Sequence, residues 1–260
     1  MPKDGTKVER EASASPEPPV LVDESPVLVV VFGRGANGKS TGAAEVVWRM
    51  ESRGRPVIVA DGDYHRSRTL SDLFPQIATY PASTEPNDVK AWLTATLNRM
   101  VRERASVVLD CGTENRVLQE YCRDLRLVEF CRKRGFGAAA LYFLGPEAED
   151  LRHVLSIWGG EYFRPERALL VLNEGVVRGG KSVAGAFDAT LSDAELAKML
   201  GSGVKPVFMR RLAAMDQVRQ PGVGFYRAEE VLEPVEGFMV DEWVADLDAE
   251  RTRVGADGWF

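Results

Sequence analysis

The sequence predicts an α/β fold: a three-layer, doubly wound, mainly parallel sheet. Short apolar runs alternate with helix-length segments along most of the chain, the pattern of repeated βαβ units. The runs are rich in Val, Leu and aromatic residues, as strands buried on both faces require. One of them passes through a glycine-rich loop into a helix, in "VLVVVFGRGANGKSTGAAEVVWRM" at residues 27–50.

Taken in order, strands are expected at 27–32, 56–60, 106–110, 138–143 and 168–172. Helices are expected at 41–53, 88–104, 115–133, 146–157 and 192–200. Gly54 and Gly135 stand where helices should stop, and Asn87 or Asp88 can cap the second helix. There is no internal repeat and no heptad run. Residues 1–25, polar and proline-rich, read as a disordered tail, and 26–232 as the main domain. Residues 233–260 read as an acidic C-terminal helix or tail, with Phe238, Val240, Trp243 and Leu247 on one side of a helix. Its polar face carries Glu236, Asp241, Glu242, Asp246, Asp248 and Glu250, where a membrane anchor would want Lys and Arg. Packing on the domain or on a partner suits it better.

A chain of 260 residues accommodates one large domain, and 45% hydrophobic with 28% charged residues is ordinary soluble composition. The net charge of −6 does not indicate DNA contact, although a local basic patch is compatible with it. Arg210, Arg211 and Arg219 form the available cluster, which reads first as a solvated face. Cys111, Cys122 and Cys131 lack C-x-x-C spacing, which argues against a zinc site or disulfide framework and for a reducing cytoplasm. No apolar run approaches the roughly 18 residues of a membrane span, and the first residues lack the apolar stretch of a signal peptide.

The loop Gly33-Arg34-Gly35-Ala36-Asn37-Gly38-Lys39-Ser40 fits the phosphate-binding pattern G-x-x-x-x-G-K-[ST]. Its backbone N–H groups, from Gly35 through Thr41, can wrap a phosphate at the positive end of the following helix. Lys39 would reach the β and γ phosphates, and Ser40 would offer a hydroxyl to Mg²⁺. The alternative is a glycine-rich turn without a ligand. In "VIVADGDYHR", Asp61 and Asp63 end the next strand, where one carboxylate can orient the attacking water and the other hold the metal's water shell. In "SVVLDCGTEN", Asp110 and Gly112 have the form of a Walker B carboxylate, touching Mg²⁺ directly or through water, and a γ-phosphate amide. The three elements converge on one Mg²⁺–nucleotide site, with Ser40, Asp63 and Asp110 as its metal-side groups.

"RGANGKST" resembles the deviant P-loop of the ParA/MinD-type ATPases, roughly K-G-G-x-G-K-[ST]-T, within the SIMIBI type of P-loop NTPase. "DGD" matches that family's D-x-D element, with Asp63 standing 24 residues after Lys39. "ALLVLNEGVVRGG" is similar to the strand whose terminal Asn contacts adenine, here Asn173, and "GVKPVFMRRLAAMDQV" to the final strand and base-side loop near Pro206. Within the group, "VLNEG", "GAFDATLSDAEL", "KPVFMRRL" and "MDQV" resemble the plasmid mobilisation and stability ATPases called TraL, StbC or MobD. The resemblance implies ATP and Mg²⁺ as cofactors, Asp63 positioning the hydrolytic water, an ATP-dependent homodimer, and a mobilisation or partition partner. Arg34 replaces the signature lysine, Ala36 replaces a glycine, and Tyr64 follows the D-x-D where partition ATPases have proline.

In that family the signature lysine reaches nucleotide across a dimer interface. Arg34 can act in trans in its place, act in cis on its own nucleotide, or be a solvated loop residue. Two rival functions remain. "VADGDYHRSRTLSDLF" also resembles adenylylsulfate kinases, in which Asp61 or Asp63 would take a proton from the substrate hydroxyl and Arg66 or Arg68 bind its anion. A module that binds nucleotide without hydrolysing it is the other. His65 and His153 stand alone in the sequence and read as surface or packed residues.

Overall fold

The computed structural model describes residues 25–63, 69–110, 112, 116–178, 182–220 and 222–260. Seven strands form one sheet: β1 (Val27–Phe32), β2 (Val57–Asp61), β3 (Ala78–Thr79), β4 (Ser106–Asp110), β5 (Gly137–Leu144), β6 (Arg167–Asn173) and β7 (Lys205–Met209). Every pairing is parallel, in the order β3-β2-β4-β1-β5-β6-β7. The fold class is the one the sequence predicts. β1 lies between β4 and β5, with β2 and β3 beyond β4 on one side and β6 and β7 beyond β5 on the other. This is the topological switch point of a doubly wound sheet, where a crevice opens at the carboxyl ends. Register brings the strand ends level, since Asp110 pairs with both Val31 and Asp61, and Asn173 pairs with Met209.

The side-chain alternation of β1 feeds two cores. Leu28, Val30 and Phe32 pack with Trp92, Leu97, Leu118, Val154 and Leu196 on one face. Val27, Val29 and Val31 pack with Ala43, Val46, Met50, Trp243 and Phe260 on the other. All six β1 residues are fully buried, which is why the strand reads as one unbroken apolar run.

Four local expectations are corrected. The helix expected at 88–104 is Pro86–Glu103, entered through Glu85 with proline in its first turn. Asp88 sits inside that turn and accepts from Ser83 Oγ at 2.5 Å, so it is no cap. The helix expected at 115–133 is two, Arg116–Leu125 and Leu127–Lys133, broken where Arg126 adopts φ 50°. The break keeps Leu118, Cys122, Leu127 and Cys131 all in the core, although five residues separate Cys122 from Leu127 and a continuous helix would rotate the stripe away. Burial pushes the Cys122 and Cys131 thiols up to about 12 and leaves them unreactive.

The fourth correction concerns the terminal helix, Pro234–Arg253. It buries Val240, Trp243, Leu247 and Arg251, but Phe238 is 63% exposed. Two residues along an α-helix turn the side chain by roughly 200°, so Phe238 cannot share a face with Val240. This helix docks on the first helix, Lys39–Ser52, through a buried ionic cluster. Arg251 Nη1 donates to Glu45 Oε1 at 2.9 Å, Tyr226 Oη donates to the same oxygen at 2.8 Å, and Arg49 pairs with Asp248. Residues 233–260 therefore complete one helical layer of the sheet. The segment 1–24 lies outside the described residues, as do Cys111, Tyr64, His65, Arg66, Arg68 and Asn115.

Candidate nucleotide site

A cavity of about 450 Å³ opens at the carboxyl ends of the strands. Gly35, Ala36, Gly38, Lys39, Ser40 and Thr41 line it, together with Asp63 and Thr69. Asn173, Gly175, Val176, the end of β7 at Met209 and the segment after it, including Met215, Asp216 and Arg219, close the other side. The cradle, Asp63 and Asn173 are thus brought together, whereas Arg34, Asn37 and Pro206 do not line the cavity.

The cradle is held from below. Gly38, at φ 88°, lies directly under the Asn173 amide, and any Cβ there would collide with that group. Asn173 Nδ2 donates to the Asn37 carbonyl at 2.9 Å, and its Oδ1 accepts from the Gly175 N–H at 2.9 Å. Both ends of this amide therefore brace the loop and the turn after β6, a role the sequence reading did not assign to it. Ala36, at φ 66°, holds a left-handed conformation that glycine adopts at lower cost. Lys39 is buried, and its ammonium rests on the Arg34 carbonyl at 3.2 Å.

Ser40, Asp110 and Asp63, expected on the metal side, are linked through Gly112. Ser40 Oγ donates to Asp110 Oδ2 at 2.8 Å, and the Gly112 N–H donates to Asp110 Oδ1 at 3.1 Å. Gly112 has φ 69°, and a Cβ there would come within 2.8 Å of Asp63 Oδ1, so a side chain at 112 would displace that carboxylate. Asp61, fully buried, accepts from the backbone N–H groups of Asp63 and Ser71, at 3.0 and 2.8 Å. It shapes the loop that carries Asp63. Among the described residues no three His, Cys, Asp or Glu side chains form a protein-only metal cage. A hydroxyl with a single carboxylate instead suits a cation that takes its other ligands from phosphate and water.

Burial raises the Asp110 pKa; the Lys39 charge, the Gly112 N–H and the Ser40 hydroxyl oppose the rise, and Asp61 adds to it. A carboxyl whose pKa rises on folding stabilises the native state while protonated and loses that stability as pH increases through the folded-state value. The group therefore contributes less stability at neutral pH than in acid. Asp110→Asn is expected to raise the melting temperature of the nucleotide-free protein at pH 7 and to lower Mg²⁺-dependent turnover. A melting temperature that falls at pH 7 would contradict this balance.

Arg34 leaves the cavity. Its Nη1 donates to Asp150 Oδ1 at 3.1 Å, on the helix Ala148–Gly159, with the guanidinium half-exposed and the carboxylate buried. His153 on the same helix lies beside the loop; burial lowers its pKa, and the Lys39 and Arg34 charges lower it further. Of the arginine cluster, Arg210 and Arg219 both line the cavity, bonded to Asp246 and to Thr41 Oγ1, whereas Arg211 turns to the Val177 carbonyl. Asp150 escaped the sequence reading, because a contact this distant in sequence leaves no local pattern, whereas Met209 and Met215 lie in the segment read as final strand and base-side loop. Pro206 lies within β7, three residues before the strand end that reaches the cavity.

No family model and no curated protein matches the chain. Among solved structures it is similar to FtsY of Thermotoga maritima, at 17% identity over 72% of this chain and 63% of that one, with a TM-score of 0.45. It is similar to chloroplast FtsY of Physcomitrella patens at 16% over 84% and 65%, with 0.49. The MinD cell division protein of Aquifex aeolicus gives 15% over 85% and 95%, with 0.48. The chain spans less than two thirds of the length of either FtsY. At these values the similarities decide neither ligand nor partner, which must be read from the side chains.

Proposed function

We propose that this chain is a Mg²⁺-dependent ATPase of the ParA/MinD type, hydrolysing ATP slowly as a dimer switch in plasmid mobilisation, partition or a related positioning process. The observation that carries the reading is the Ser40–Asp110 pair, 2.8 Å apart at the start of the first helix and next to Lys39. In this reading Gly35 to Thr41 wrap the phosphates, and Lys39 turns from the Arg34 carbonyl to the β and γ oxygens. Ser40 and Asp110 would hold Mg²⁺, with Asp63 beside its water shell, and the ion would supply positive charge to the phosphate oxygens. Asp63 orients the attacking water.

Adenine is taken from the family resemblance. The base end of the cavity offers Val176, Met209, Met215 and Asp216, and Asn173 supports it as a brace. Arg34 serves a second subunit once it leaves Asp150, which gives the dimer its nucleotide dependence. A reducing cytoplasm is the expected setting, and no helix among the described residues is long and apolar enough to cross a membrane.

Fluorescent ATP and GTP analogues titrated with Mg²⁺ test the site, and light scattering with a non-hydrolysable ATP analogue tests the dimer. Asp63→Ala should keep nucleotide affinity within a few-fold and lower turnover by about 100-fold, the usual scale for a positioned proton-transfer group. Loss of binding in that variant would make Asp63 structural. Phosphate transfer to a hydroxyl acceptor by a monomer would replace the ATPase reading with the kinase.

A further inference from the structure

We propose that the corner between the short helix Ala228–Val231 and the first turns of the terminal helix is a docking surface for a basic, amphipathic segment of a partner protein. Seven large apolar side chains are exposed among the described residues, and four of them, Val231, Val235, Phe238 and Met239, fall within this corner. They are 43–63% exposed, so this is a patch and not the scattered surface apolar residue that needs no explanation. Val235, Phe238 and Met239 share one helical face, and Glu242 continues it one turn on.

The rim decides the occupant. Glu229, Glu230, Glu233 and Glu242 are all exposed around the patch. The basic group nearest in sequence, Arg227, is bonded to Glu230 at 3.5 Å. Two copies of this chain meeting through the patch would set these carboxylates against their own counterparts. An anionic lipid surface would meet the same repulsion. A helix with apolar anchors at i, i+3 and i+4 and Lys or Arg at its margins matches both the stripe and the charge. The platform is already rigid, because Val240, Trp243 and Leu247 are buried on the opposite face and Trp243 Nε1 donates to the Arg210 carbonyl at 2.7 Å. Little ordering cost falls on binding. This inference does not depend on the nucleotide reading.

The test is fluorescence anisotropy with the full chain and a labelled helical Leu/Lys peptide, beside its Leu/Glu twin. The Leu/Lys peptide should bind saturably and the twin should not. Phe238→Ser combined with Met239→Ser should weaken binding about tenfold or more, equivalent to about 1.4 kcal/mol. Glu233→Lys with Glu242→Lys should weaken it through charge alone. Both pairs are exposed, so an unchanged circular dichroism spectrum is expected to accompany the loss. The proposal is overturned if the Leu/Lys peptide fails to bind, if the twin binds equally, or if the serine pair changes nothing. It is also overturned if the serine pair abolishes self-association seen by light scattering, or sedimentation with phosphatidylcholine vesicles, since a second copy or a membrane would then own the patch.

Discussion

Arg251→Ala should lower the unfolding free energy by about 3–5 kcal/mol, the range for removing one partner of a buried ion pair. Glu45 and Arg251 are both almost fully buried, and the guanidinium meets both carboxylate oxygens. Burial works to lower the Arg251 pKa, yet the Glu45 carboxylate overrides it and holds the value above the ordinary one. Without the guanidinium, Glu45 keeps only the Tyr226 hydroxyl, too little for a buried charge. Replacing the pair together, as Glu45→Gln with Arg251→Met, should recover most of the loss. Urea unfolding of the three proteins measures this directly. A cost below about 1 kcal/mol for Arg251→Ala would mean that water reaches Glu45 and the cluster is not buried in solution.

The second large effect belongs to the site. Lys39→Ala should reduce turnover by about 10²–10³-fold, the scale for losing one preorganised donor to developing negative charge. It should also weaken binding of the triphosphate more than that of the monophosphate, since the side chain is placed to reach the outer phosphates. Fluorescent-nucleotide titration and phosphate release measure the two parts separately. Undiminished turnover would remove Lys39 from the reaction and the cavity from consideration as its seat. A circular dichroism spectrum unchanged from the parent protein would separate a loss of turnover from unfolding, since Lys39 is buried.

Much of this arrangement is legible in the sequence because it is local. β1, β4, β5 and β6 announce themselves as apolar runs because both faces of the sheet are covered. The cradle, Asp63 and Asp110 each sit at the end of such a run, where parallel topology must deliver them to one edge. What the sequence hides lies between distant positions. Arg34 and Asp150 are 116 residues apart, and Thr41 and Arg219 are 178 apart. The break at Arg126 has no glycine or proline to mark it, and the core imposes it. Glu45 and Arg49 on the first helix are buried against the terminal helix, by contacts 206 and 199 residues apart in sequence that no local pattern announces. That cover also explains why 233–260 looks separable in the sequence and is not in the fold.

The Asn173 amide, fastened to the Asn37 carbonyl and lying across Gly38, has a thermodynamic meaning. The loop after β1 and the turn after β6 are tied before any ligand arrives, so the entropy of shaping the cradle is settled during folding. Under the function proposed above, a triphosphate would meet a loop and turn already joined, and the ordering cost left to its binding would be smaller.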